Sequence, residues 1–271
     1  MVNRIWQHHF GRGIAPSPSE FGTRAEPPTH PELLEWLANE FVASGWSIKK
    51  IHKVILLSQT YQQSSRASAA ALVRDPENKL LSRQNRQRLE GEVIRDSLLA
   101  ISGQLNPKVG GPGVFPPIPS DIAKGANWTP SAKVADHNRR SLYIFAGRNL
   151  RYPFLEVFDA PDNNLSCPQR GRSTTAPQSL TLLNSEQVMA AAKATAERLA
   201  EGKSAEDQVK RGFRLIIGRL PSEKEWALAR DFVSFCSSRR EEALASGSKS
   251  DQPLQELCRA LFNINAFVYV D

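Results

Sequence analysis

Hydrophobic residues near the start of the chain recur with the spacing of an α-helix. Leu33, Leu37 and Phe41 repeat every four residues, and Gly45 is placed to end that helix in a left-handed conformation. A second helix with isoleucines at helical spacing follows within a few residues. The connection is too short for the two helices to be anything but antiparallel neighbours. The pattern therefore predicts a helical hairpin module over residues 1–60.

Beyond this module, residues 61–78 are polar and rich in alanine and serine, which is typical of a linker. Residues 79–271 return to helical spacing and are predicted to form a second helical domain. Apolar periodicity and capping signals predict its helices over residues 80–102, 177–200, 204–218 and 222–242, with a last one after Asp251.

Two segments of the second domain, residues 106–139 and 159–176, lack this periodicity and are predicted to be long loops. Residues 140–146 (RSLYIFA) are short, aromatic and β-branched, which is typical of a strand. No βαβ pattern is present, so a Rossmann fold or a (β/α)-barrel is not indicated. The predicted fold class is mainly α: a multi-helix domain with a short β element and a long ordered loop region.

The apolar spacing begins at the start of the chain. Val2, Ile5 and Phe10 lie at helical intervals, and no capping residue precedes them. We therefore expect Met1 to be an internal residue of a longer protein. The first residues lack the apolar stretch of a signal peptide, and no run of about 18 apolar residues that could span a membrane is present.

Composition narrows the function classes only a little. The 271 residues are 40% hydrophobic, which is enough for a sizeable core, and carry a net charge of +7. A basic balance permits binding of nucleic acid, an anionic glycan or an acidic partner. However, the charged residues are 23% of the chain and of both signs, as on an ordinary solvated surface. The three cysteines and five histidines show no metal-ligand or haem-attachment spacing, so no metal site is predicted and no disulfide is expected.

The richest candidate site is the polar stretch in the second long loop. Carboxylates, guanidinium groups, hydroxyls and a thiol lie close together there, and could bind a sugar or an oxyanion with arginine as a bidentate partner. The alternative is a structural loop, because Asp and Asn side chains hold turns without any ligand. We expect an ordered loop in which Arg170 pairs with Asp159 or Asp162. The candidate residues are Asp159, Asp162, Asn163, Cys167, Arg170, Arg172, Ser173 and Thr174.

A second candidate is a charge cluster in the helix predicted over residues 80–102. Arg88, Glu92, Arg95 and Asp96 fall at spacings that place them on one polar face of a helix. Carboxylates in such a cluster can do acid–base work when their surroundings push their pKa values apart. The same spacing also produces a network of helix ion pairs, and we favour that interpretation because such networks are common.

Long motifs along the chain resemble one bacterial family. In order, these motifs are VNRIWQHHFGRG, EPPTHPELLEWLA, GWSIKKIHKVILLSQTYQQSS, RLEGEVIRDSLLAISGQLNPKVGGPGV, the segment 139–184 and LFNINAFVYVD. They are similar to the family of the domain of unknown function 1553, the C-terminal domain of planctomycete-type cytochrome-associated proteins. Because the similarity extends over essentially the whole chain, the resemblance implies one family domain overall, truncated at its N-terminus.

The resemblance implies a context and no established activity. In that family the domain usually follows an exported, haem-binding cytochrome-c-like domain. This implies an extracytoplasmic location, and upstream domains of the same longer protein as partners. Haem is expected only in a missing upstream domain, with no cofactor held by this chain. The chain also departs from the family, because Ala266 stands where glutamate is usual and Gln169 where arginine is usual.

Three functional hypotheses follow. The first is a C-terminal module of an exported cytochrome-associated protein, which binds a substrate or docks onto upstream redox domains. The second is a polysaccharide-acting enzyme domain that uses carboxylates from residues 88–96 and 159–162, and a pocket holding these carboxylates would favour it. The third, nucleic-acid binding, rests on basic charge alone. A flat apolar patch around Trp6, Phe10 and Trp36 would favour docking.

Overall fold

The computed structural model describes residues 1–123, 128–148, 150–202, 204–245 and 252–270, and it is mainly helical, as predicted. Its internal contacts divide the chain into two units. The first unit comprises Met1–Gln87 and Tyr269–Asp271, and the second comprises Arg88–Val268.

The first unit contains the helices α1 (Val2–Phe10), α2 (Pro31–Ala43), α3 (Ile48–Leu56) and α4 (Ala69–Arg74). The helices α2 and α3 form the predicted hairpin. Gly45 has a φ of 74° at the end of α2, and the Ser47 hydroxyl caps α3 by accepting the Lys50 N–H. Trp6 and Phe10 of α1 are buried against the apolar side of the hairpin and complete the core of this unit.

The end of the first unit is irregular because side chains hold its backbone. The carboxylate of Asp75 accepts the backbone N–H groups of Lys79 and Leu80 at 2.8 and 2.7 Å. Asn78 has a φ of 52°, which does not fit a right-handed helix. These bonds satisfy the local N–H groups without helical backbone. The prediction of one helix over residues 80–102 is therefore wrong in its first half.

The short β element lies elsewhere than predicted. It is a two-stranded sheet of β1 (Gln87–Arg88) and β2 (Tyr269–Val270). Residues 140–146 instead form a 3₁₀-helix, Ser141–Tyr143, followed by a single bridge between Ile144 and Val114. The Ser141 N–H donates to the Asp96 carboxylate at 2.7 Å instead of to a neighbouring strand. The predicted strand is wrong.

The second unit is built on helices whose local signals are clear in the sequence. Ser185 ends one helix and caps the next with its hydroxyl, at the predicted pause. Ser222 and Glu225 form a capping box, in which each side chain accepts the other residue's backbone N–H. The helices are α5 (Gly91–Ile101), α6 (Ser120–Ala123), α7 (Val134–His137), α8 (Pro153–Val157), α9 (Ala176–Asn184), α10 (Glu186–Leu199), α11 (Ala205–Ile217), α12 (Glu223–Ala245), α13 (Pro253–Phe262) and α14 (Asn265–Val268).

The core of the second unit lies between the later helices. Val188 and Ala192 of α10 and Cys258 and Phe262 of α13 are all completely buried. This packing fixes the position of α10 within the unit. Within the described residues, no helix combines the length and the apolar character needed to cross a bilayer.

Two buried arginines hold the long loop between α5 and α8. Arg139 donates to the backbone carbonyls of Lys108, Gly110 and Pro112. Arg95 donates in turn to the carbonyl of Arg139 at 3.0 Å. Hydrogen bonds from these guanidinium groups to backbone carbonyls therefore fix the shape of the loop. In a helix or strand, hydrogen bonds between backbone groups have this role.

Candidate functional site

Asp159 is the centre of the predicted binding loop. Its carboxylate accepts hydrogen bonds from Arg88 at 2.5 Å, from both the N–H and the hydroxyl of Ser173 at 2.8 and 2.7 Å, and from Gln178 at 3.4 Å. Burial pulls the pKa of Asp159 upward, but the bonds from Ser173 and the charge of Arg88 hold that pKa below its ordinary value. The ionised carboxylate therefore joins the two ends of the loop.

Arg170 fixes another part of this loop, with partners that differ from the prediction. Its Nη1 atom lies 2.8 Å from the Glu92 carboxylate and 3.2 Å from that of Glu90. Burial lowers the pKa of Arg170, and the bond and charges of these glutamates raise it further than burial lowers it. The prediction that Arg170 contacts an aspartate of its own loop is wrong, because Arg88 already holds Asp159. Arg170 instead ties the loop to the start of α5.

The tip of the loop is exposed and makes local turns. Asp162 accepts the backbone N–H of Asn164 at 3.1 Å, which is the usual way in which aspartate holds a turn. The thiol of Cys167 donates to the carbonyl of Gln169 at 3.2 Å. The geometry therefore separates these residues from the Asp159 junction. Asn163 and Thr174 are also exposed, and so is Arg172, which lines the small cavity beside Asp159.

The predicted charge cluster does not form one polar face. Arg88 precedes α5, and it and Glu92 bind the loop as described above. Arg95 is buried and donates to backbone carbonyls, whereas Asp96 accepts the N–H and the hydroxyl of Ser141. The approach between Arg95 and Asp96 is 3.9 Å. The expected helix ion-pair network is therefore replaced by contacts with segments distant in sequence.

The space beside the loop charges is too small for a ligand. A cavity lined by Glu90, Asp159 and Arg170 has a volume of about 10 Å³. A single water needs roughly 10–15 Å³, so at most one water fits. In this part of the described chain, Glu92 and Asp159 do not converge in a ligand-sized pocket. Such a pocket would have favoured the enzymatic hypothesis, whereas the loop forms a packed polar junction.

A cleft of ligand size lies elsewhere in the second unit. Its volume is about 630 Å³, inside the range of roughly 300–1,000 Å³ typical of small-molecule sites. Its walls come from α5 and the loop after it, from α7, α8 and α9, and from the start of α10. Three prolines around Ile118 and the ring of Phe154 supply a rigid apolar side. We call this space the cleft.

The polar residues that line the cleft include several amides. Tyr152 lies among them and donates its hydroxyl to Oε1 of Gln187 at 3.3 Å. The Nε2 atom of His137 donates to the carbonyl of Ser131 at 2.7 Å, which fixes the ring at the cleft wall. The four lining amide side chains are Gln104, Asn138, Asn184 and Gln187.

Residues 1–233 match the family described as PSD1, protein of unknown function (DUF1553). The chain belongs to the PSD1 family. This match confirms the resemblance drawn from the motifs. No curated protein and no solved structure matches the chain. The PSD1 description assigns no activity.

The sequence pattern did not reveal the cleft of this PSD1 chain. Its lining residues run from Arg95 to Ala190 and belong to several helices and loops, whereas periodicity reports only the faces of single elements. One signal was present. The run from Pro116 to Pro119 is apolar and conformationally restricted, which is unusual for a solvated loop and suited to a fixed wall.

Histidines and cysteines of the PSD1 chain do not gather into a metal site in the described residues. His9 and His52 of the first unit form a pair, with Nε2 of the former 2.7 Å from Nδ1 of the latter. All three cysteines are free thiols: Cys167 is exposed, Cys236 half-buried and Cys258 buried.

The three residues Trp6, Phe10 and Trp36 do not form a flat apolar surface patch that would favour docking. Trp6 and Phe10 are 6% and 1% exposed, so they belong to the core of the first unit. Trp36 is 52% exposed and lies on the outer side of α2. An exposed tryptophan alone identifies no partner.

Proposed function

We propose that this PSD1 chain is the recognition module of an exported, cytochrome-associated protein, and that it binds a small polyhydroxylated molecule in the cleft. One observation carries the proposal: the second unit contains a ligand-sized cleft whose lining combines rigid apolar residues with four residues that have amide side chains. Small-molecule sites commonly combine an apolar lining with a few placed polar groups.

The lining chemistry supports a ligand with hydroxyl groups. A side-chain amide offers both donors and an acceptor, and a hydroxyl group likewise donates and accepts. Four amides around one cleft can therefore pair with several hydroxyl groups, each in both directions. The ring of Tyr152 and the proline wall would cover the carbon skeleton of such a molecule. Sugars have this combination of a polar edge and an apolar face.

The cellular context in the proposal comes from the family resemblance. Haem would belong to an upstream domain of the same longer protein, and this chain would supply recognition to it. The upstream domains would then be its partners. No step in the proposal requires a cofactor bound by the chain itself.

The test is binding of defined sugars to the full chain. Saturation-transfer NMR would screen neutral and acidic mono- and disaccharides against the wild type and against Ala190→Trp, which places an indole in the cleft. Ala70→Trp is the matched control, because Ala70 is exposed on α4 in the other unit. We expect at least one sugar to bind the wild type and Ala70→Trp, and the signal to be lost in Ala190→Trp.

Two results would refute the proposal. One is the absence of binding by every sugar in the panel to a folded wild-type chain. The other is binding that Ala190→Trp leaves unchanged, because the sugar would then lie outside the cleft.

A further inference from the structure

We infer, taking the proposed function as the basis, that the ligand of the cleft carries a carboxylate and is an acidic sugar of the uronic acid type. The proposed function requires only hydroxyl groups. The carboxylate follows from separate observations on the charges around the cleft.

The first observation is a buried positive charge at the cleft wall. Arg95 is 1% exposed and lines the cleft. Its guanidinium donates to the carbonyls of Arg139 and His137 and to the hydroxyl of Ser141, all neutral acceptors. Its Nε atom is buried and has no hydrogen-bond partner. A buried cation that forms no hydrogen bond with an anion is unfavourable, so the site gains from an added negative charge.

The carboxylate of Asp96 compensates this charge only in part. It lies 3.9 Å from Nη1 of Arg95, beyond hydrogen-bond distance. The same carboxylate accepts two bonds from Ser141 and lies 3.7 Å from Nε of Arg140. One aspartate therefore faces two guanidinium groups, and an anion in the cleft would restore the balance.

The second observation is the N-terminus of α10, which opens at the cleft. The Ser185 hydroxyl accepts the Val188 N–H, and the Ser185 carbonyl accepts the next one. The N–H groups of Glu186 and Gln187 lie in the first turn of α10, where a helix supplies no acceptor of its own, and both residues line the cleft. Free N–H groups and the helix dipole together favour an anion at this end of a helix.

One group acts against an anion, and it supplies the sharpest test. The side chain of Glu186 is exposed at the edge of the cleft and would repel a bound carboxylate. Removing that charge should strengthen the binding of an acidic ligand and leave a neutral ligand unaffected. A substitution that merely disturbed the fold would weaken both.

The experiment compares matched sugars that differ only in charge. Glucose and glucuronate, and galactose and galacturonate, would be titrated calorimetrically into the wild type, Glu186→Gln and Ala190→Trp at low and at physiological salt. We expect the acid to bind about tenfold tighter than its neutral partner, with the preference reduced by salt. Glu186→Gln should tighten the acid about twofold to fivefold, the usual size of a charge effect at a helix terminus.

The outcomes separate this inference from the proposed function. Equal binding of acid and neutral sugar, lost in Ala190→Trp, refutes the carboxylate and leaves the proposed function standing. An acid whose affinity is unchanged or weakened in Glu186→Gln also refutes the carboxylate. No binding by any probe, or acid binding that persists in Ala190→Trp, overturns both.

Discussion

Replacing Asp159 with alanine should destabilise the protein far more than the same change at Asp162, although both are aspartates of one loop. Asp159 accepts hydrogen bonds from three different residues, and one of them is a guanidinium that is only 5% exposed. Asp162 is exposed and accepts one bond from the backbone of its own turn. Sequence alone gives no reason for this difference.

The expected size follows from the burial of the Asp159 pair. Removing one partner of a buried ion pair costs about 3–5 kcal/mol of unfolding free energy. The Asp159 side chain is 25% exposed, so water replaces part of the loss and we expect about 2–4 kcal/mol. Asp159 also has a φ of 63°, and alanine in that left-handed conformation adds about 1 kcal/mol. Asp159→Asn tolerates the backbone and loses only the charge, so about 1–3 kcal/mol is expected.

Urea unfolding of the variants, with hydrogen exchange at the Ser173 amide as a local probe, would measure these effects. The Ser173 N–H donates to the Asp159 carboxylate and should exchange faster in Asp159→Ala. Because the pKa of Asp159 is held low in the folded protein, its contribution is present above pH of about 4 and disappears as the pH falls below that value. Asp159→Ala with the stability of Asp162→Ala and unchanged Ser173 exchange would refute the reasoning.

Further expectations concern other groups described above. Arg170→Ala should lower the unfolding free energy by about 0.5–1.5 kcal/mol. The effect is modest because the ion pairs of Arg170 with Glu90 and Glu92 are about one-third exposed to water. An unchanged urea midpoint would contradict this expectation. Iodoacetamide should label Cys167 in the folded protein but Cys258 only after unfolding, because burial raises the pKa of Cys258 to about 12. Peptide mass mapping would identify the labelled cysteines. A disulfide-linked peptide would contradict the expectation of free thiols. Burial and the facing His52 lower the pKa of His9 in the folded protein. The imidazole of His9 is therefore protonated more readily in the unfolded chain, and the free energy of unfolding should fall as the pH drops below about 6.5. His9→Gln should show a weaker pH dependence of the urea midpoint between pH 7.5 and 5.5, and an unchanged dependence would assign it to other groups.

Elements with local signals were predictable from the sequence. Ser47 caps α3, Ser185 separates α9 from α10, and Ser222 forms its capping box with Glu225. Each signal acts within a few residues, so reading along the chain is sufficient to find it. These signals and the apolar periodicity account for the mainly helical fold.

Side chains with distant partners were not predictable in the same way. Helical spacing placed Arg88, Glu92 and Arg95 on one face, but Arg88 lies in β1, before α5 begins. Arg170 had several carboxylates within reach in sequence, and the ones it contacts are at the start of α5. The partners of long polar side chains depend on which groups the tertiary structure brings near them. The periodicity of the sequence contains no information about these contacts.

The manner in which Arg139 holds the long loop has a consequence for how this protein can change over time. Its bonds reach the backbone carbonyls of Lys108, Gly110 and Pro112, and every amino acid carries such a carbonyl. Side chains along this loop, which continues into the cleft wall at Pro116, can therefore be exchanged while the bonds that set the loop's shape persist. During evolution, a few substitutions in this loop could therefore change the ligand preference. None of the intermediate variants would have to lose the fold.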